Sequence, residues 1–263
     1  METGYKFIIY EEQNATAIIS LNRPDMYNAL NAEAKLEVVQ AIRDANKNSS
    51  IRSIVLTGKG KAFCTGQDLN DRSVQSSLGP VDLGQTLQNE WNPLINSIRD
   101  SKKIIIAAVN GVCAGAGISV AIACDLIMAK PLTKFVGAFS RLGLAPDAGS
   151  TYTFVRALGY QKTMAFFLLG EPLMAEEMLI AGLINELDEN PLIRSIEYST
   201  AINKLSPIST EAIKKNLKFA MDANFNESME REMYAQRFLG RSSDYKEGLS
   251  AFLEKREPQF TGN

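Results

Sequence analysis

The sequence predicts an α/β fold that ends in a helical region, on three observations. Up to Ala138, short β-rich apolar runs alternate with helix-compatible segments and with Gly or polar turns. One of these runs, residues 104–109, leads into Ala114-Gly115-Ala116-Gly117 and then a further helix-compatible segment, the pattern of strand, bare turn and buried helix. Past Phe139 the apolar residues keep helical spacing, punctuated by Gly, Pro and Asn.

Residues 7–10 and 16–21 read as two strands joined by a polar turn over 11–14, a hairpin. Asn22-Arg23-Pro24-Asp25 stops the second strand, and Asn31 caps a helix over 32–46 in which Leu36, Val39 and Ile42 keep helical spacing. Residues 51–56 form the next strand, turned by Gly58-Lys59-Gly60-Lys61, after which a short apolar start at Ala62 runs into the turn at Gly66. The segment 71–80, rich in Ser and charge, is expected to be a mobile flap. Residues 83–98 read as a helix carrying the single tryptophan, Trp91, and Pro93 should kink or split it. After the strand at 104–109 and the helix at 118–124, residues 126–129 and 134–138 give two more short strands. Helices then follow over 148–158, 161–169, 175–181, 191–205, 207–223, 225–238 and 244–254. The expected organisation is a βα-rich core over 1–190 and a C-terminal helical region over 191–263.

Composition narrows the chemistry. The 263 residues can bury a substantial core, and 45% hydrophobic with 22% charged residues is an ordinary soluble balance. A net charge of −2 gives no electrostatic reason to expect nucleic acid or an anionic membrane as a partner. Cys64, Cys113 and Cys124 lack the paired spacing of a zinc or disulfide framework, so reduced thiols in a cytoplasmic protein are expected. No signal peptide and no run of membrane-spanning length is read from the chain. The chain has no histidine, which removes Ser-His-Asp and Cys-His nucleophilic systems and the usual His-bearing zinc sites. Acid and base work falls to carboxylates, Lys, Tyr, Cys or water.

Two stretches are candidates for that chemistry. Around Ala114 to Gly117 the near absence of side chains lets backbone N–H groups at a helix start face a cavity, where the helix dipole favours a developing negative charge. A turn of small residues that merely allows a helix to pack closely on a strand would look the same. The second is Asp147, within Gly143-Leu144-Ala145-Pro146-Asp147-Ala148-Gly149-Ser150, a carboxylate among small and apolar residues. Partial desolvation there would raise its pKa and suit it to act as a base on a buried substrate, whereas Asp after Pro and before a helix is equally a common N-cap.

Asn22-Arg23-Pro24 with Asn28-Ala29-Leu30, then Phe63-Cys64-Thr65-Gly66-Gln67-Asp68-Leu69, then Asn110-Gly111-Val112-Cys113-Ala114-Gly115-Ala116-Gly117, then Gly143 to Gly149 occur in the order seen in the enoyl-CoA hydratase/isomerase (crotonase) superfamily. The chain resembles that family over nearly its whole length, ending in Tyr245-Lys246-Glu247-Gly248 and Lys255-Arg256. The resemblance implies a crotonase-like spiral of ββα units with a C-terminal helical oligomerisation region, trimers or dimers of trimers, and acyl-CoA thioesters as ligands. Coenzyme A would arrive as part of the substrate, with no separate cofactor and no metal. It further implies an oxyanion hole made by the backbone N–H groups of Gln67 and Ala116, in which the Gln67 side chain need take no part. Substrate contacts would come from Ala29, Asp68, Leu69 and Phe139, and cations for the CoA phosphates from Arg23 and from Lys255 or Arg256.

Departures from the family pattern point to one reaction class. Hydratases of the family place two glutamates where this chain has Ser119 and Phe139, so ordinary hydration of an enoyl-CoA is not expected. Asp147 stands where related dienoyl-CoA isomerases and a dehalogenase keep an aspartate, and the dehalogenase also needs a histidine. The resemblance therefore implies an isomerase that shifts a double bond, or rearranges an epoxide, beside a CoA thioester through an enolate, with Asp147 as its acid/base. Other readings are a Δ3,Δ2-enoyl-CoA isomerase or an unusual hydratase, and a catalytically silent acyl-CoA-binding member. Asp68 is the reserve candidate for the base.

Overall fold

Four successive β-β-α passes build the first part of the chain, and the computed structural model describes residues 4–71 and 82–263. The expected flap over 71–80 lies outside the described residues except for Asp71. The first pass is β1 (Ile8–Gln13), β2 (Thr16–Leu21) and α1 (Ala32–Lys47). The second is β3 (Ser53–Gly58), β4 (Ala62–Cys64) and a helical segment made of α2 (Leu83–Thr86), a π-helical turn (Leu87–Trp91) and α3 (Asn92–Arg99). The third is β5 (Ile104–Val109), β6 (Val112–Ala114) and α4 (Ala116–Ala123), and the fourth β7 (Leu126–Ala129), β8 (Lys134–Val136) and α5 (Ser150–Leu158). From the second pass on, the first strand of each pair joins a six-stranded sheet and the second a four-stranded one. The orders are β1-β2-β3-β5-β7-β10 and β4-β6-β8-β9, closed by β9 (Leu173–Met174) and β10 (Glu186–Leu187). Each pass thus climbs one step along two sheets at once, which makes a spiral.

The large sheet is parallel except at the β1–β2 hairpin, and its inner strands β2, β3, β5 and β7 are buried on both faces, so they are nearly continuous apolar runs. Residues still alternate between two cores. Ile19, Leu56, Ala107 and Ile127 face the main core with α1, α3 and α4, while Ile18, Val55, Ile106 and Met128 face Leu192, Ile196 and Ile202 of α8 (Pro191–Ile202). The boundary expected after residue 190 therefore does not separate α8 from the sheet. Asn203 at its end also accepts from Ser53 Oγ and donates to Thr16 Oγ1, at 2.7 and 3.0 Å. The remaining elements are α6 (Tyr160–Leu169), α7 (Ala175–Ile180), α9 (Pro207–Ala220), α10 (Phe225–Leu239) and α11 (Ser243–Glu254).

Several expected boundaries shift for physical reasons. The hairpin turn is Asn14-Ala15, both with positive φ, while Glu11 and Glu12 continue β1, whose edge position exposes them to solvent. Val112–Ala114, expected as part of a turn, is a strand paired with β4 and β8; three residues are too few to show a period. Pro93 cannot donate to the carbonyl of residue 89, and the helix is irregular one turn ahead of it as the π-helical turn, with Asn92 N bonded to Leu87 O. The buried face of α1 runs through Lys35, Val38, Val39 and Ile42, and Leu36 is exposed.

Candidate functional site

The site is built on backbone, beginning where β4 ends. Gly66 has φ of +88°, a conformation that only glycine adopts without strain, and it turns the chain into Gln67. Leu30 forms a parallel bridge with Gln67: Leu30 N donates to Gly66 O at 2.7 Å and Asp68 N donates to Leu30 O at 3.1 Å. In an extended segment successive peptide groups face opposite sides, so the N–H of Gln67 is directed away from Leu30. The start of α4 lies against Gly66. A Cβ on Gly66 would sit 2.9 Å from Ala116 N, and one on Gly117 would sit 2.2 Å from Cys64 O. Bare glycines thus let two backbones touch and bring the turn into Gln67 against the start of α4 at Ala116. Ala116 opens α4, where N–H groups have no acceptor within the helix.

Asp147 reaches the same helix through its own carbonyl. Ser119, one turn after Ala116 and 1% exposed, donates its hydroxyl to Asp147 O at 3.1 Å. Ser150 donates to the same oxygen through its N–H at 3.0 Å and its hydroxyl at 2.9 Å. The loop is pinned to α4, and Asp147 Oδ1 is shielded from solvent. The N-cap of α5 is Gly149, so the capping reading of Asp147 does not apply. Phe139 is buried and meets Phe167 edge-on at 6.0 Å, backed by the Phe154–Phe166 stack. Two cavities flank the loop: one of about 360 Å³ bordered by Ser119, Ala148 and Gly149, the other of about 410 Å³ bordered by Leu144, Ala145 and Pro146. Neither cavity's wall includes Gln67 or Ala116.

The charged candidates separate. Arg23 donates to Asp68 Oδ2 at 2.7 Å and to Ala29 O at 2.5 Å, bracing the Leu30 segment against the Gln67 segment. Burial works to raise the Asp68 carboxyl, but hydrogen bonds from Arg23 and from the N–H groups of Asn70 and Asp71 outweigh it and hold it below its ordinary value. Such a group is a weak base. Leu69 is exposed and Ala29 is buried beside this ion pair. Lys255 is the exposed C-cap of α11, whereas Arg256 is tied to Glu247 and Glu254. Cys64, Cys113 and Cys124 are buried, and burial pushes the Cys64 thiol up to about 12, which makes it inert.

The Gln67 side chain is engaged after all, in a group that sequence reasoning missed. Lys35 Nζ and Trp91 Nε1 both donate to Gln67 Oε1, at 2.9 and 3.0 Å, and Lys35 is ion-paired with Glu90. The available signal was a lysine on the apolar face of α1.

A sequence profile described as "Enoyl-CoA hydratase/isomerase" matches residues 11–263. The 1,2-epoxyphenylacetyl-CoA isomerase of Escherichia coli K12 is 37% identical over 98% of this chain and 99% of its own length. A probable enoyl-CoA hydratase of Rhodobacter capsulatus is also 37% identical, with the same coverage. The crystal structure of an enoyl-CoA hydratase from Polaromonas sp. JS666 superposes with a TM-score of 0.92 at 30% identity, over 96% of this chain and 99% of that one.

Proposed function

The chain belongs to the enoyl-CoA hydratase/isomerase family, and from that membership we propose that it isomerises acyl-CoA thioesters, with Asp147 as sole acid/base and the N–H groups of Gln67 and Ala116 as oxyanion hole. The Asp147 carboxylate takes a proton from the carbon beside the thioester carbonyl. The electron pair of the broken C–H bond moves into the carbonyl, and the two N–H groups hold the resulting enolate oxygen. One such donor is typically worth ~3 kcal/mol in the transition state. The protonated carboxyl then returns the proton to a different carbon, so the double bond moves with no atom gained or lost.

The observation that carries this reading is the distribution of carboxylates. Ser119 and Phe139 stand where the family's hydratases keep glutamates, and the Ser119 hydroxyl is committed to the Asp147 carbonyl. No second acid remains at those positions to activate or protonate water, which favours isomerisation over hydration. The similarity to the epoxyphenylacetyl-CoA isomerase supports a ring-bearing acyl group, and the aromatic cluster behind Phe139 is compatible with one. Arg23 and Lys255 are the proposed cations for the CoA phosphates.

The test is turnover and solvent-deuterium incorporation with a 3-enoyl-CoA, crotonyl-CoA and 1,2-epoxyphenylacetyl-CoA, in the parent and in Asp147→Asn. Isomerisation of the first or third thioester is expected, with a loss of roughly 10²-fold or more in the variant and thioester binding retained. Hydration of crotonyl-CoA as the main activity would overturn the isomerase reading. Undiminished exchange in Asp147→Asn would remove Asp147 as the base, and binding without any exchange would mark a silent family member.

A further inference from the structure

Lys35 is 1% exposed and sits among apolar residues on α1, a costly place for an ammonium. Core packing alone would be served better by methionine. Its ammonium reaches one residue of the site, Gln67, and the acid Glu90. Lys35 Nζ donates to Gln67 Oε1 at 2.9 Å and lies 4.7 Å from the centre of the Trp91 ring, while the Trp91 indole donates to the same oxygen at 3.0 Å. Glu90, next to Trp91 in the π-helical turn, neutralises the ammonium. The other end of the Gln67 amide, Nε2, donates to Asp68 O at 3.2 Å.

We propose that Lys35 and Trp91 are positioning residues that hold Gln67 so that its backbone N–H meets the thioester oxygen. The inference rests on the reading of that N–H as an oxyanion donor. Leu30 N, bonded to Gly66 O, holds the peptide whose other edge is the Gln67 N–H, and Leu30 O accepts from Asp68 N in the next peptide. The Gln67 side chain leaves the backbone between these two peptides and is a second hold on their orientation. Two donors on Oε1, one of them charged, anchor it from α1 and from the π-helical turn. Misplacement of a catalytic donor by about 1 Å is enough to cost up to 10²-fold in rate, so a modest loosening should be visible.

The experiment uses Lys35→Met and Trp91→Phe, the second removing only the indole donor while keeping an aromatic ring in place. Butyryl-CoA carrying ¹³C at the carbonyl is bound to each protein and its C=O stretch recorded; being saturated, it is not turned over. Turnover of a 3-enoyl-CoA is measured in parallel, with thermal unfolding as the check on folding. In both variants kcat should fall about tenfold with KM within about twofold, and the stretch, lowered in the parent, should move back toward its value in water. A parent-like stretch and kcat in folded Trp91→Phe would overturn the proposal even where Lys35→Met fails to fold. If the parent turns nothing over but lowers the stretch, the isomerase reading fails and the stretch in the variants decides the positioning role. An unshifted stretch in the parent would remove the oxyanion hole and the positioning role with it.

Discussion

Arg23 and Asp68 form a mostly buried pair whose side chains are 16% and 6% exposed, and both are engaged with the loop that carries Gln67. A phosphate that approached Arg23 would meet a charge already neutralised, whereas Lys255 stands exposed at the end of α11. The two proposed CoA cations should therefore respond differently to removal. Arg23→Ala leaves a buried carboxylate without its partner and should lower stability by roughly 3 kcal/mol, read by denaturant unfolding. Lys255→Ala should leave stability unchanged and weaken CoA binding at low salt, an effect that added salt suppresses. Equal CoA affinity for Lys255→Ala and the parent at low salt would remove Lys255 from the ligand site. The pair also sets a pH dependence. The Asp68 carboxyl is depressed in the folded state, so its contribution is present above the unfolded carboxylate value and is lost as pH falls below about 4. Acid unfolding of Asp68→Asn should lack that component.

Between α4 and β4 the chain depends on an approach closer than any side chain permits. A Cβ on Gly117 would lie 2.2 Å from Cys64 O, a backbone atom that cannot move aside without carrying the turn to Gln67 with it. Gly117→Ala should therefore cost the roughly 1–3 kcal/mol typical of overpacking and also lower kcat, because relief of the clash separates the Gln67 and Ala116 peptides. An alanine variant with parent-like unfolding and turnover would show that the two segments are not in rigid contact. This element also shows what could be read in advance. A run of small residues after an apolar strand announces close backbone approach, but whether that approach serves packing or anion binding depends on which peptide faces it. That peptide is set by Leu30, 37 residues earlier in the chain. Long, almost fully buried strands such as β3 and β5 were legible because burial on both faces leaves a nearly continuous apolar run, Ile54-Val55-Leu56 in β3 and the whole of β5. Strand β6 was not, since its three residues pair only with strands as short as itself. Lys35 was hidden for a related reason: its partners Gln67 and Glu90 belong to other passes of the spiral and leave no local pattern.

At the scale of the whole molecule, the C-terminal helices are the part that the chain alone does not cover. In α10 no residue is buried, yet Phe225, Met229, Met233, Tyr234 and Phe238 are 76%, 47%, 46%, 53% and 67% exposed. Leu249, Phe252 and Leu253 of α11 and Leu217 of α9 are exposed as well. Among the described residues no helix is long and apolar enough to cross a membrane. Scattered apolar residues on a surface need no explanation, but this many large exposed side chains on three consecutive helices are of the kind that associating proteins bury. The trimers or paired trimers expected from the family resemblance would cover it with another copy of the same chain. Three copies around one axis would share a single repeated contact, and two such rings would add a second. We therefore propose a homo-oligomer with α9, α10 and α11 at its contacts. Light scattering on the parent at micromolar concentration should give three or six times the mass of one chain. Phe238→Glu together with Met233→Glu places charges on α10 at two positions that are 67% and 46% exposed, and should lower that mass. Parent-like mass in the double variant would move the contact away from α10. A parent that is monomeric at micromolar concentration would end the proposal, leaving this apolar surface without an occupant.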